Sequence, residues 1–207
     1  VTRPFLSYVI GAFVLVSLAA CRPSGNGPAG PGTEPPETCA PTTEAPAPEP
    51  LHWRRHAAFV TDVHAALALD ATTGCRELDR TPCGDVHLVA LGGNDVFGAG
   101  QFEPVARPLA TTPLVVDRFV LGACSNRVTL DAEGTPAVFG MLDLAASSVS
   151  RDDARATASE LFRRLLRRDA TNEELAEIAQ LADGTNARDF AVAACFAIGT
   201  TSEAVLY

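Results

Sequence analysis

Residues 22–50, RPSGNGPAGPGTEPPETCAPTTEAPAPEP, divide the chain before any other part of it can be placed. Pro, Gly, Glu and Thr dominate, and no large apolar side chain is present to build a core around. Such a composition predicts a disordered stalk with extended, semi-rigid polyproline II segments, advancing ~3.1 Å per residue where extended. A spacer role fits it better than a Pro-rich ligand or a glycosylated stalk. Whatever folds must therefore fold within residues 51–207, a length that suits one domain with a real core.

Ahead of the stalk, Val9 to Ala20 is a short apolar run preceded by Arg3. A membrane span needs roughly 20 apolar residues, so this run is too short, and it ends in small residues as a cleavage site does. Leu18-Ala19-Ala20-Cys21 resembles the bacterial lipobox. The resemblance implies that residues 1–20 are a lipoprotein signal peptide and that the Cys21 thiol is joined to diacylglycerol. Cleavage before Cys21 and acylation of its new amino group follow in that family. Several acyl chains anchor stably where one is marginal. Arg22 rather than Asp after the Cys implies the outer membrane, by the sorting rule of enteric bacteria. Val1 reads as a literally translated GTG start.

The 16 basic residues are all Arg, and the formal charge is −9. Without Lys, Walker-type phosphate loops, Schiff-base chemistry, pyridoxal phosphate sites and Ser-x-x-Lys acylases are excluded. With abundant Ala, Gly and Pro, the composition points to a GC-rich bacterial genome. The acidic balance argues against nucleic acid as a partner and against tight docking on anionic headgroups.

Of six Cys, Cys21 is assigned to the lipid, leaving Cys39, Cys75, Cys83, Cys124 and Cys195. An exported compartment favours disulfides over metal thiolates. Cys75 and Cys83 flank a turn-rich segment and form the best local pair; Cys124 with Cys195 is the second, and Cys39 is the odd thiol.

The expected fold is mainly α: a single helical domain with room for a minor β-hairpin. Residues 51–70 predict an amphipathic helix, with Trp53, His56, Val60, Val63 and Leu67 on one face. Val86 to Leu91 suits helix or strand equally. Thr111-Thr112-Pro113 reads as an N-cap followed by Pro in the first turn, opening a buried helix over 111–124. Residues 125–149 fit either a hairpin about Glu133-Gly134 or a loop and short helix. Three further helices carry start signals at Ser150/Asp153, Thr171/Glu174 and Asn186/Asp189, with Gly184 and Gly199 as closing residues. In the third, Ala191, Ala194, Cys195 and Ala197 predict close packing.

The stretch ASELFRRLLRRDATNEELAEI, continued by ARDFAVAACFAIGTTSEAVLY, resembles a helical segment of large exported proteins of planctomycetes and myxobacteria. The matching positions are Leu165, Leu166, Arg168, Thr171, Glu174 and Leu175, then Ser202, Glu203 and Leu206. Arg167 replaces that pattern's Gly, Ala170 its Pro, and Ala204-Val205 its Phe. The resemblance covers about a quarter of the chain and carries over no catalytic residue. The haem motif of those proteins, Cys-x-x-Cys-His, is absent, so no cofactor is expected.

Among candidate sites, His52 and His56 are one helical turn apart, as two metal ligands would be. The Glu of a His-Glu-x-x-His hydrolase is missing between them. Cys83 and His87 with Cys75 form a zinc-like spacing that the disulfide reading displaces. Gly92-Gly93-Asn94-Asp95 lacks the oxygen-rich alternation of a calcium loop and reads as a turn. No Gly-x-Ser-x-Gly surrounds any Ser, and Asp152-Asp153 is explained by the helix dipole. The leading expectation is therefore a non-enzymatic, lipid-anchored envelope protein that binds or scaffolds another protein. The alternative is a metal-binding or redox accessory protein, or an unrecognised enzyme, using His52, His56, His64 or His87.

Overall fold

The computed structural model describes residues 52–134 and 136–207. The expected signal peptide, Cys21, Cys39 and the Pro-rich stalk lie outside the described residues. The order of elements is α1 (His56–Ala66), β1 (Arg76–Glu77), β2 (Thr81–Pro82), α2 (Cys83–Val86), α3 (Thr112–Glu133), α4 (Arg151–Leu165), α5 (Asn172–Gln180), α6 (Ala187–Gly199) and α7 (Ser202–Val205). The fold is mainly helical with one two-stranded antiparallel sheet, as expected.

α3 is the axis of the domain. Val116, Phe119, Val120, Ala123 and Cys124 recur at helical spacing and are buried. α6 lies against it, its Ala191 and Ala194 fully buried, so the two backbones approach closely. Gly199, expected as a closing residue, lies inside the last turn of α6. It is the last residue of the helix, and a Cβ there would stand 2.7 Å from Val120 Cγ1, so its lack of a side chain also permits the helix contact. The Cys124–Cys195 disulfide joins the same two helices, with Cα atoms 5.9 Å apart. α4 lies against both α5 and α6, and α1 against α3 and α4.

Three start signals act as read. Ser150 accepts from the Asp153 N–H, Thr171 and Glu174 form a reciprocal capping box, and Asn186 accepts from the Asp189 N–H. Each pairs a helical N–H that would otherwise have no partner.

Several expectations fail locally. α3 runs to Glu133, so no hairpin forms about Glu133-Gly134. Instead the Asp131 carboxylate turns the chain back, accepting from the backbone N–H groups of Ala137, Val138 and Phe139. Thr111 holds the N-cap position of α3 with Pro113 in the first turn, as expected, but its side chain makes no capping bond. Thr112 ties the helix start to the preceding chain, donating to the Ala90 carbonyl and accepting from the Leu109 N–H. Leu181 is the exposed C-cap of α5, and Gly184, expected as the closing residue, lies beyond that cap at φ +76°.

The minor β-element exists, but over 76–82. Cys75 and Cys83, joined by a disulfide, close its two ends, and Leu78 and Asp79 take left-handed φ values of 51° and 56° in its turn. α1 begins at His56, so Trp53 is not on a helix. It lies in an extended segment bridged antiparallel to Leu206. His52 and Tyr207 exchange both backbone hydrogen bonds, clipping the start of the described chain to its end.

Candidate functional site

Three of the four imidazoles gather on the segment 74–87, each for a different reason. His56, at the start of α1, has Nε2 3.0 Å from the Gly84 carbonyl, so α1 and α2 are tied by a side chain. His64, on the inner face of α1, stacks near Phe119 at 5.3 Å and lies against Gly74. A Cβ at Gly74 would stand 2.8 Å from His64 Nε2, so only Gly lets the loop close over the ring. His87, just past α2, sits 3.1 Å from Glu77 Oε1.

Glu77 is the hub of this surface. Its carboxylate takes a bidentate pair from Arg118 of α3 as well as the His87 ring. Arg118 first, through that hydrogen-bonded pair, holds the Glu77 carboxyl below its ordinary pKa. Asn126, two turns further along α3, donates to the carbonyls of Thr73 and Gly74. Gly122 leaves room for the Cys75 sulfur, which would meet a Cβ at 2.6 Å. Thus α3 carries a polar and glycine stripe, Arg118-Gly122-Asn126, that seats the disulfide hairpin.

Beside that stripe a few large apolar side chains stand exposed among the charged groups Arg76, Asp79 and Arg80. Leu78, next to Glu77 in the hairpin turn, is 87% exposed, and Leu114 is 70% exposed. Leu114 and Leu121 flank Arg118 at four residues before and three after, which places all three on one helix face. Val86 adjoins His87 and is half exposed. Exposed apolar groups clustered in this way, beside a fixed Arg–carboxylate pair, have the composition of an interface centre.

The expected pair His52 and His56 does not assemble. His52 precedes α1 in the extended segment and is exposed, with its ring 5.8 Å from that of Tyr207. Helical spacing required the helix to begin before His52, and the clip to the C-terminus takes that segment instead. Among the described residues no group of three or more His, Cys, Asp or Glu side chains could hold a metal ion. Cys75 and Cys83 are consumed by their disulfide and are buried. Gly92 meets the ring of Trp53, and Asp95 closes its own turn on the Gly98 N–H, so the Gly-Gly-Asn-Asp segment is structural.

Nor does the carboxylate–imidazole pair Glu77–His87 reach a nucleophile. Among the described residues no hydroxyl or thiol hydrogen-bonds a histidine ring. The surface has two depressions among the described residues that are lined by charged side chains. One, of about 670 Å³, is walled by Asp131, Pro136, Leu142, Ser147, Asn186 and Arg188. Burial would raise the Asp131 pKa, but its three backbone donors and Arg127 together hold it low, so it is occupied structurally. The other, of about 350 Å³, is bordered by Arg168, Glu174 and Glu203 over Phe162 and Ile198. There Arg168 bridges both carboxylates bidentately and lies 5.1 Å over the Phe162 ring.

The partnership of Glu77 with Arg118 and Leu114 was not legible in sequence, because it depends on how the hairpin docks against α3. The one available hint was Arg118 with Leu114 and Leu121 on the outward face of a helix otherwise expected to be buried. Among the described residues no helix is long and apolar enough to cross a membrane. Comparison with protein-family models, with curated proteins and with solved structures gave no match to this chain.

Proposed function

We propose that the protein is a lipid-anchored bacterial envelope protein whose helical domain holds a protein partner on the face built by the disulfide hairpin and α3, without catalysing a reaction. The carrying observation is the group Leu78, Val86, Leu114 and Leu121 exposed around the Glu77–Arg118 pair. Burying such side chains against a partner is favourable by about 25 cal/mol per Å² of apolar surface. The Arg–carboxylate pair is already formed in the free protein, so little ordering remains for it to undergo on binding. The lipobox-like Leu-Ala-Ala-Cys21 and the Pro-rich stalk support the envelope location, on the outer membrane. The acidic net charge argues for a protein surface over nucleic acid.

A photo-crosslinking amino acid placed at Leu114 tests the reading in living cells. The expected result is a discrete protein adduct that is lost in an Arg118→Glu background. Glu173, exposed on α5, is the control position and should give no such adduct. No adduct from Leu114 or Leu78 under any growth condition would overturn the reading.

A further inference from the structure

The loop between Gly92 and α3 holds two aromatic side chains out in solvent: Phe97 is fully exposed and Phe102 is 74% exposed. Their exposure is built. The Asp95 carboxylate accepts from the Gly98 N–H at 2.7 Å, and the Asp95 carbonyl accepts from the Gln101 N–H at 2.8 Å. These bonds close a compact turn over 95–101 with Phe97 at its tip. A Cβ at Gly98 would collide with that same carboxylate, so the turn is as tight as its sequence allows. Downstream, the loop is fixed to α3 through the Leu109 N–H and Thr112. A side chain of this size, held outward by a closed turn, is placed to enter something apolar.

The root of the loop lies where the rest of the chain arrives. Gly92 rests on the ring of Trp53, the second described residue, and Tyr207, itself 68% exposed, pairs with His52 alongside. Residues 22–51 separate Cys21 from this end and span at most about 100 Å when fully extended.

From this placement we propose that the 95–102 turn is a membrane-contact loop: Phe97 and Phe102 enter the interface of the bilayer to which the chain is anchored at Cys21. This rests on the lipid-anchor reading above. Two aromatic side chains alone bind a bilayer weakly, and a tethered domain needs no more. The anchor makes the second contact intramolecular, with an effective concentration set by the tether. Charge selects the lipid. The loop carries Asp95, Glu103 and Arg107, and the whole chain is strongly acidic, so the favoured surface is zwitterionic.

The test uses the full chain, purified from membranes and reconstituted into phosphatidylcholine–phosphatidylethanolamine vesicles containing tail-brominated phosphatidylcholine. Trp53 is the one native Trp and is buried, so the wild-type protein sets the baseline. In F97W and F102W the added fluorescence should be quenched at least twofold more than in wild type. Quenching no greater than wild type, or a photo-crosslink from position 97 into a protein in place of lipid, overturns the inference. Mass spectrometry of Cys21 separates the two readings. A lipidated Cys21 with an unquenched F97W leaves the anchor and removes the loop contact. An unmodified Cys21 with a quenched F97W removes the anchor and keeps the contact. Unmodified Cys21 with no quenching removes both. In Cys21→Ala protein, vesicle retention should fall at least tenfold, and F97S/F102S in that background should abolish what is left.

Discussion

His64 is 4% exposed, and neither of its ring nitrogens has a hydrogen-bond partner. Burial lowers its pKa below the ordinary 6.5, and the nearby Asp70 opposes that only in part. The linkage has a definite sign. Above pH 6.5 the ring is neutral in both the folded and unfolded chain. As pH falls below 6.5 the unfolded chain takes up the proton first, so stability drops until the lower folded pKa is passed. Urea unfolding at pH 7.5 and pH 5 should show this loss, and His64→Leu should remove most of it. At pH 7.5 the Leu variant should be no less stable than wild type, because an unpartnered buried polar group costs about 1–3 kcal/mol. A variant keeping the full pH dependence would place its source elsewhere. The identity of His64 as a core residue was not legible from its neighbours. In sequence it is one of four histidines set aside as a metal or redox alternative, and only the closure of the Gly74 loop over the ring shows it to be enclosed.

At the scale of elements, the C-terminal helices are the most locally encoded part of the chain. Their caps act within three residues, so short-range sequence is sufficient to read them. What joins them is not local. Arg168 ties the Glu174 of the α5 capping box to Glu203 of α7 while covering Phe162 of α4. Three of the positions that carry the sequence resemblance, Arg168, Glu174 and Glu203, therefore meet at one guanidinium. Arg167, where the resembled pattern has Gly, is left-handed at φ 57°. Arg168 first, then the Thr171 backbone, pull the Glu174 pKa down to about 2 from an ordinary 4.5. The stability it contributes is complete above pH 4.5 and is lost as pH falls toward 2. Arg168→Gln should shrink that acid-dependent loss to the part held by the Thr171 cap and lower the melting temperature at pH 7, read by circular dichroism. A Lys there should rescue little, since one ammonium cannot serve two carboxylates bidentately.

For the whole molecule, the two disulfides differ in reach. Cys124–Cys195 spans 71 positions and Cys75–Cys83 spans 8. On the chain-entropy model the first restrains the unfolded chain by about 4 kcal/mol and the second by about 2.5 kcal/mol. Removing Cys124 and Cys195 together should therefore destabilise the protein more than removing Cys75 and Cys83. The second pair instead should loosen the hairpin and weaken crosslinking from Leu114 at unchanged overall fold. Thiol titration of the denatured chain, with and without reductant, should differ by four thiols. A difference of zero would remove both bridges.

Short-range chemistry was enough to read the helical class, the starts of α4, α5 and α6 and the local Cys75–Cys83 pair, because caps and turns act over a few residues. Cys124–Cys195, 71 positions apart, followed only as the pair left once Cys39 was set aside in the stalk. Tertiary structure alone decided the rest. It drew His52 and Trp53 out of a helix and into a clip with Tyr207 and Leu206, since backbone pairing with a distant segment outweighs helical periodicity at a chain end. It extended α3 to Glu133 by letting buried Asp131 turn the following chain. It also separated the histidines and brought Glu77 to Arg118, 41 positions away. A surface made from two elements remote in sequence leaves no periodic trace in either, which is why the candidate interface appears only when the hairpin is seated on α3.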